Sequence, residues 1–241
     1  MNNVLTCTQQ STPVSSLALA CGLDVAIART EADLIDACHV RQVGYGHHLG
    51  DDTSGFATIE ALDRTPGTVV FVCRDQRTGE AVGTVRIQPG QSRSPLQIER
   101  HVILPYRVTS RVRAEVTRLA VLPGADAQVK LCLMRAVYQH ALAHGIDWLV
   151  IAARNDALAR NYRRLGFKDF LAPGQMLPLP CAGNLPHYIF TMDVQGVCGE
   201  WQRSGHRLLG FMLDGAYPRQ EADAHPRSRL PSEVQQPPQC A

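Results

Sequence analysis

No apolar run in the 241 residues approaches the roughly 18–20 that carry a helix across a bilayer, so no integral membrane span is expected. Charge of one sign is missing too. Lysine and arginine together number 24 against 22 acidic residues, a formal net charge of +2, which supplies no field to recruit nucleic acid. The eight cysteines form no CxxC pair and no zinc-type spacing. Their scatter argues against a disulfide framework, and inert reduced thiols in a cytoplasmic protein are the expectation. Lysine is confined to Lys130 and Lys168, so the basic character is almost all arginine.

What is present is enough for a core. At 45% hydrophobic and 19% charged, the chain is too apolar for disorder and long enough to bury one sizeable interior. No charged side chain precedes Asp24, and residues 1–23 read as a flexible leader. SLALACG, Ser16 to Gly22, has the outline of a lipoprotein cleavage site. No Lys or Arg stands before it, however, and Pro13 with two serines shortens its apolar part. From Pro218 onward, five of the 15 prolines and almost no large apolar residue predict a disordered Pro-rich tail, 218–241. One domain, 24–217, remains, with no internal repeat.

Within it the hydrophobic period changes along the chain. Val25 to Ala28 reads as a strand. Thr30, Glu31 and Asp33 read as a capping box opening a helix to about Val43, with Leu34, Ala37, Cys38 and the stem of Arg41 turned inward. A Gly- and Asp-rich loop is expected from Gly44 to Gly55. Thr68–Cys73 and Ala81–Ile87 form two β-branched runs joined by a turn at Thr78-Gly79. Gln88 to Ser110 is irregular, with one helical turn near Leu96 to His101. Arg113–Leu122 alternates as a strand. Val129, Cys132, Leu133, Ala136, Val137 and Ala141 keep helical spacing up to Gly145. Trp148–Ala152 is a buried strand, Asn155 caps a helix over Ala157–Leu165, and Gly166 stops it. A last strand, His187–Val194, precedes a helix from Val197 to Leu213. The order β-α-β-β-β-α-β-α-β predicts an α/β fold, one mixed, mostly antiparallel sheet with helices on both faces.

That order resembles the GNAT acyltransferase fold, with its splayed central strands. NDALARNYRRLGF, Asn155 to Phe167, is similar to the family's N-x-x-A-x-x-x-Y-x-x-x-G-F segment. GTVRIQPG (Gly83–Gly90), PLQIERHVILP (Pro95–Pro105) and EVTRLAV (Glu115–Val121) resemble the autoinducer (acyl-homoserine lactone) synthases and, equally, the related N-acyl amino acid synthases. Arg86, Glu115 and Arg118 match their G-[ST]-x-R-L-x-P and E-x-[ST]-R strands. Arg41 and Asp63 match further charged positions. The lactone synthases carry an aromatic-rich helix end and an acidic cluster; this chain has HVRQVGYGHHLG and only Glu60 and Asp63, so amino acid acylation needs fewer residues than the use of S-adenosylmethionine. The [QR]-x-x-G-x-[GA] pattern of CoA-using members is replaced by VLPGADAQVK, Val121 to Lys130. A donor bearing only phosphopantetheine has no pyrophosphate to hold there.

The resemblance implies an N-acyltransferase moving a fatty acyl group, of long chain, from acyl carrier protein to the amine of an amino acid or related metabolite. No cofactor or metal is implied beyond the thioester co-substrate, acyl-ACP or acyl-CoA. The site would lie between Glu115–Leu122 and Trp148–Ala152, with Leu119, Val121 and Asn155 among the substrate-binding residues. Tyr162 matches the tyrosine that protonates the leaving thiolate; its plainer role is to anchor its helix. Glu115 is either the base for the amine or the partner of Arg86 or Arg118 in a structural charge network. In a regular strand Glu115 and Arg118 face opposite sides, so both reach one ligand only if a bulge lies between them. Arg86 either holds the acceptor's carboxylate or serves the scaffold. Leu131, Met134 and Phe170–Leu179 are candidates for the acyl tunnel or plain core. Arg111, Arg113, Arg160, Arg163 and Arg164 form either a docking patch for the acidic carrier or a solvated face. His140 and His144, at i and i+4, are expected at a solvated helix end rather than on a metal, and His47-His48 in a loop. Other readings of the resemblance are a lactone synthase, a CoA-dependent acetyltransferase and a non-catalytic acyl-binding module.

Overall fold

The computed structural model describes residues 22–49, 54–90 and 95–213. The expected leader, apart from Gly22 and Leu23, and the whole expected tail lie outside them. In chain order the elements are β1 (Leu23–Ile27), α1 (Glu31–Leu49), β2 (Val69–Asp75), β3 (Ala81–Gly90), α2 (Tyr106–Thr109), β4 (Arg113–Val121), α3 (Val129–Ala143), β5 (Trp148–Ala153), α4 (Asp156–Arg164), β6 (Lys168–Asp169), β7 (Leu177–Leu179), β8 (Leu185–Asp193), α5 (Val194–Arg203) and α6 (Leu209–Leu213). The sheet order is β1-β2-β3-β4-β5-β8-β6, with β7 also on β8. Every pairing is antiparallel except β4 with β5.

Local chemistry sets the ends as expected. Thr30 Oγ1 accepts the Asp33 N–H (3.2 Å) while Asp33 Oδ2 accepts the Thr30 N–H (3.0 Å), a reciprocal cap at the start of α1. Asn155 Oδ1 accepts the Leu158 N–H at 2.9 Å and opens α4. Asp75 Oδ1 accepts the N–H groups of Arg77 and Thr78, closing the β2–β3 turn.

Alternation along the strands sorts the two faces. Phe71, Cys73, Val85, Ile87, Ala114 and Val116 pack with α3, and Leu149 and Ile151 join them with Ala159 and Tyr162 of α4. Val70 and Val72 turn the other way, onto Ala37 of α1. On that second face Leu96, Ile98, Val102, Leu104 and Val108 cover Val150 and Ile189. Arg86, Gln88 and Glu115 alternate with residues of the first face and therefore lie on the second.

Four expectations change. Two short strands, β6 and β7, lie in the chain between α4 and β8 and pair with β8, where none was expected. α1 runs on to Leu49 through Gly44 and Gly46, where a loop was expected. A Cβ on Gly44 would stand 2.9 Å from the Val121 carbonyl oxygen, so glycine permits the helix to lie close on β4. Tertiary packing, not local propensity, carries the helix there. The last helix is two, α5 and α6, parted at Gly205, whose φ is +60°. His140 is buried and stacked on His144, with ring centroids 3.9 Å apart, rather than solvated; burial lowers its pKa to about 3. Among the described residues no group of three His, Cys, Asp or Glu is placed to hold a metal ion, and no helix is long and apolar enough to cross a membrane.

Candidate active site

β4 and β5 pair from Arg113–Trp148 to Val116–Ile151 and then part. On the other edge of β4 the register slips: Thr84 faces Ala120, but Arg86 faces Thr117. Arg118 and Leu119 together thus oppose Val85, and Arg118 takes φ +56°, left-handed for a residue with a Cβ. The strain of that conformation is held by what the side chain grips, described below. The parting leaves a cleft of about 380 Å³, lined by Glu115 to Val121, Ile151, Ala152, Asn155, Tyr162 and neighbours from both layers. Tyr162 comes from the α3–α4 face of the sheet and Glu115 from the α1 face. Only a gap between strands lets side chains from the two faces share one space.

Six of the nine residues singled out from sequence line this cleft: Glu115, Arg118, Leu119, Val121, Asn155 and Tyr162. The bulge is what brings Glu115 and Arg118 to it together. Arg41, Asp63 and Arg86 are buried behind it instead. Asp63 receives Arg41 through two bonds, 2.7 and 3.0 Å, and Arg86 Nη1 at 3.1 Å. Arg86 Nη1 also reaches Glu60 at 2.6 Å, and its Nε reaches Thr117 Oγ1 at 3.0 Å. Arg118 grips Glu60 through Nε, at 2.8 Å, and Nη2, and its guanidinium lies 5.1 Å over the Phe56 ring. With no exposed surface, Arg86 is placed for the scaffold and not for an acceptor's carboxylate. The carboxylates of this network are Glu60 and Asp63, not Glu115.

Three guanidiniums thus meet two carboxylates, and Arg41 Nε and Arg86 Nη2 are left buried without a hydrogen-bond partner. Burial by itself would raise Glu60 and Asp63. The hydrogen bonds and charge of Arg118 and Arg86 on Glu60, and of Arg41 and Arg86 on Asp63, overcome it and hold both below the usual carboxylate range. Glu115 goes the other way. Burial pushes it up to about 7, against the Ile98 N–H that its Oε2 accepts at 3.1 Å and the charge of Arg86. Tyr162 is lifted above its ordinary range, first by burial and then by Tyr45, so its phenol keeps its proton.

Sequence reasoning missed several lining residues. Tyr45 sits in the glycine-rich stretch whose composition predicts a loop; its hydroxyl donates to the Leu119 carbonyl at 3.3 Å, and its ring packs 4.6 Å from Phe56. Lys130, Arg154, Asn161 and His187 also line the cleft. The rarity of lysine was the one signal that could have drawn attention to Lys130. Of the tunnel candidates only Leu179 reaches the cleft; Met134 belongs to the main core and Leu131 packs against it. Arg111, Arg113 and Arg163 do not gather into one docking patch. Arg113 is buried on Glu99 at 2.7 and 2.8 Å, Arg111 stands beside Asp147, and Arg163 pairs with Asp169 on α4's side.

A family model described as "N-acyl amino acid synthase FeeM" matches residues 39–180, more than half of the chain. The structure is similar to that of FeeM, an N-acyl amino acid synthase from uncultured soil microbes, with a TM-score of 0.60 and 21% identity over 78% of this chain and 97% of that one. It is also similar to FdhC, a nucleotide-linked sugar GNAT, with a TM-score of 0.52 and 8% identity over 77% and 94%. At those identities the likenesses establish the GNAT fold. No curated protein matches the sequence.

Proposed function

The chain belongs to the FeeM family of N-acyl amino acid synthases and is an N-acyltransferase, and from that premise we propose that it transfers a fatty acyl group from acyl carrier protein to the amine of an α-amino acid in the cytoplasm, with no resident cofactor or metal. The observation that carries this reading is the parted pair β4–β5, which admits a thioester arm and brings Glu115, Arg118 and Tyr162 to one cleft.

An α-amino acid carries an ammonium and a carboxylate a few ångströms apart. The cleft offers the complementary pair. Glu115, titrating near neutrality, takes the ammonium's proton. Glu60 occupies Nε and Nη2 of Arg118, and the remaining Nη1 faces the acceptor's carboxylate. The excess of guanidinium over carboxylate in the network behind it favours an anion there. The freed nitrogen attacks the thioester carbonyl carbon. Backbone N–H groups of β4 no longer taken up by β5 hold the oxyanion. The attacking nitrogen, now carrying one proton too many, releases it to solvent, and collapse forms the amide and breaks the C–S bond. Tyr162, kept protonated by burial, donates a hydrogen bond to the departing sulfur. Complete proton transfer from so weak an acid to a thiolate is uphill, so solvent supplies the thiol proton after release.

Carrier protein is favoured over free CoA by the start of α3. Asp126 Oδ1 accepts the Gln128 N–H at 2.7 Å and sets a negative charge where a pyrophosphate would be held. Lys130 nearby suits the single phosphate of phosphopantetheine. The test is incubation of the purified chain with acyl-ACP and a panel of amino acids, with mass spectrometry of the products. An acylated amino acid formed from acyl-ACP faster than from acyl-CoA is the expected result. No acylated acceptor from either donor, or a preference for acyl-CoA, refutes the proposal.

A further inference from the structure

Three large apolar side chains stand bare within one short stretch: Ile103 is 95% exposed, Tyr106 84% and Val112 49%. The stretch is not a frayed end. Leu104 and Val108, between them, are buried with Val102 against Val150 and Ile189. Arg100, Arg107 and Arg111 are exposed beside the apolar three. Arg107 and Arg111 share a hollow of about 320 Å³ with Asp147, Trp148 and Asp193. The acids there are engaged. Asp147 accepts the Val112 N–H at 3.2 Å and lies 3.6 Å from Arg111; Asp193 caps α5 through the Gly196 N–H at 2.9 Å; Glu99 is held by Arg113. Arg100, Arg107, Arg111 and Arg113 face Glu99, Asp147 and Asp193, which leaves a small excess of positive charge around the apolar tips. Arg100 and Arg107 are the exposed guanidiniums there not spent on an ion pair among the described residues.

This surface is at the base of the sheet. Val112 and Asp147 immediately precede the parallel strands β4 and β5, whereas the cleft opens where those strands part, past Val116 and Ile151. We infer that the Ile103–Val112 surface docks on a bilayer containing anionic lipid. Bare, protruding side chains suit insertion between headgroups better than the matched relief of a protein interface. Tyrosine and arginine both tolerate the interface, with an apolar body inward and a polar end in water. The arginines add attraction for anionic headgroups. A carrier protein seated here would meet the closed half of the β4–β5 pair, and a second copy would bring like charges together. Docking at the base leaves the cleft facing water. The surface goes beyond the acyl-transfer reading and does not depend on it.

Cosedimentation of the full chain with vesicles tests it. Vesicles of phosphatidylcholine mixed with phosphatidylglycerol should pellet the protein, and pure phosphatidylcholine should pellet at least about tenfold less. Joint Ile103→Ser and Tyr106→Ser should lower binding to the mixed vesicles about tenfold or more. Arg107→Gln and Arg111→Gln should each lower it about fivefold, less so as salt rises. Ile35→Ser, an exposed apolar residue on α1, should change nothing. Absence of pelleting with mixed vesicles overturns the inference, as does pelleting indifferent to the Ile103, Tyr106 and arginine substitutions. So does loss of carrier-protein binding in those variants without loss of vesicle binding. Acyl transfer to a soluble acceptor, assayed without vesicles, is read separately and should be unchanged.

Discussion

In the proposed reaction Glu115 is under opposite demands: it must be ionised to take a proton, while burial favours its neutral form. With its pKa pushed to about 7, kcat/KM should rise as pH increases through about 7, and Glu115→Gln should remove that limb and lower turnover at least about a hundredfold. The same shift fixes a sign for stability. Between the ordinary carboxyl value and about 7 the unfolded chain has lost this proton and the folded one keeps it, so folding weakens as pH rises through that window. Glu115→Gln should therefore melt higher than the parent above about pH 8, by on the order of 3 kcal/mol, with the gap closing toward acid. Glu60 and Asp63 titrate the other way: their contribution is present above the ordinary range and is lost as pH falls below it. Asp63→Asn leaves Arg41 and Arg86 facing one carboxylate fewer and should cost roughly 3 kcal/mol or more in chemical denaturation. Tyr162→Phe removes only a donor. It should lower kcat roughly a hundredfold with little change in acceptor KM, and equal rates in the two proteins would remove Tyr162 from the chemistry.

Among the elements, α1 and β4 are held unusually close at one point. Gly44 lets the helix backbone approach the Val121 carbonyl, and Tyr45 then reaches across to Leu119 beyond the bulge. Gly44→Val should lift the helix, cost about 1–3 kcal/mol in denaturant unfolding and raise acceptor KM, since Tyr45 and Phe56 line the cleft. A parent-like midpoint would show that the contact is looser than the geometry gives. In sequence the GYG triplet reads as a loop because glycine is a poor helix former. What outweighs that preference is burial of Val40 and Arg41 on the same helix, which local composition does not reveal. By contrast α4 was readable from end to end. Its cap, its length and its Gly166 stop are all local chemistry, and each occurs where expected.

At the scale of the whole molecule, the proposed preference for a carrier-bound donor rests on the charge around the start of α3, close to the cleft but not part of the reacting groups. Asp126→Asn should shift preference from acyl-ACP toward acyl-CoA, measured as the ratio of the two kcat/KM values; an unchanged ratio would free Asp126 of that role.

Alternation, helical spacing and capping residues are short-range properties, and they sufficed for six of the eight strands in chain order, the sites of α3 and α4, and the resemblance that named Glu115, Arg118 and Tyr162; the short strands β6 and β7 and the order of strands in the sheet were not among them. The sequence also stated the condition under which Glu115 and Arg118 could meet. Whether that condition held was decided in three dimensions, by the register slip against β3, the left-handed turn at Arg118 and the parting from β5. So was the choice of Glu60, remote along the chain, as the grip on Arg118, and the retreat of Arg41, Asp63 and Arg86 behind the cleft. Strand separation and charge pairing depend on residues far apart in the chain being pressed together, and no local pattern encodes which of the available partners wins.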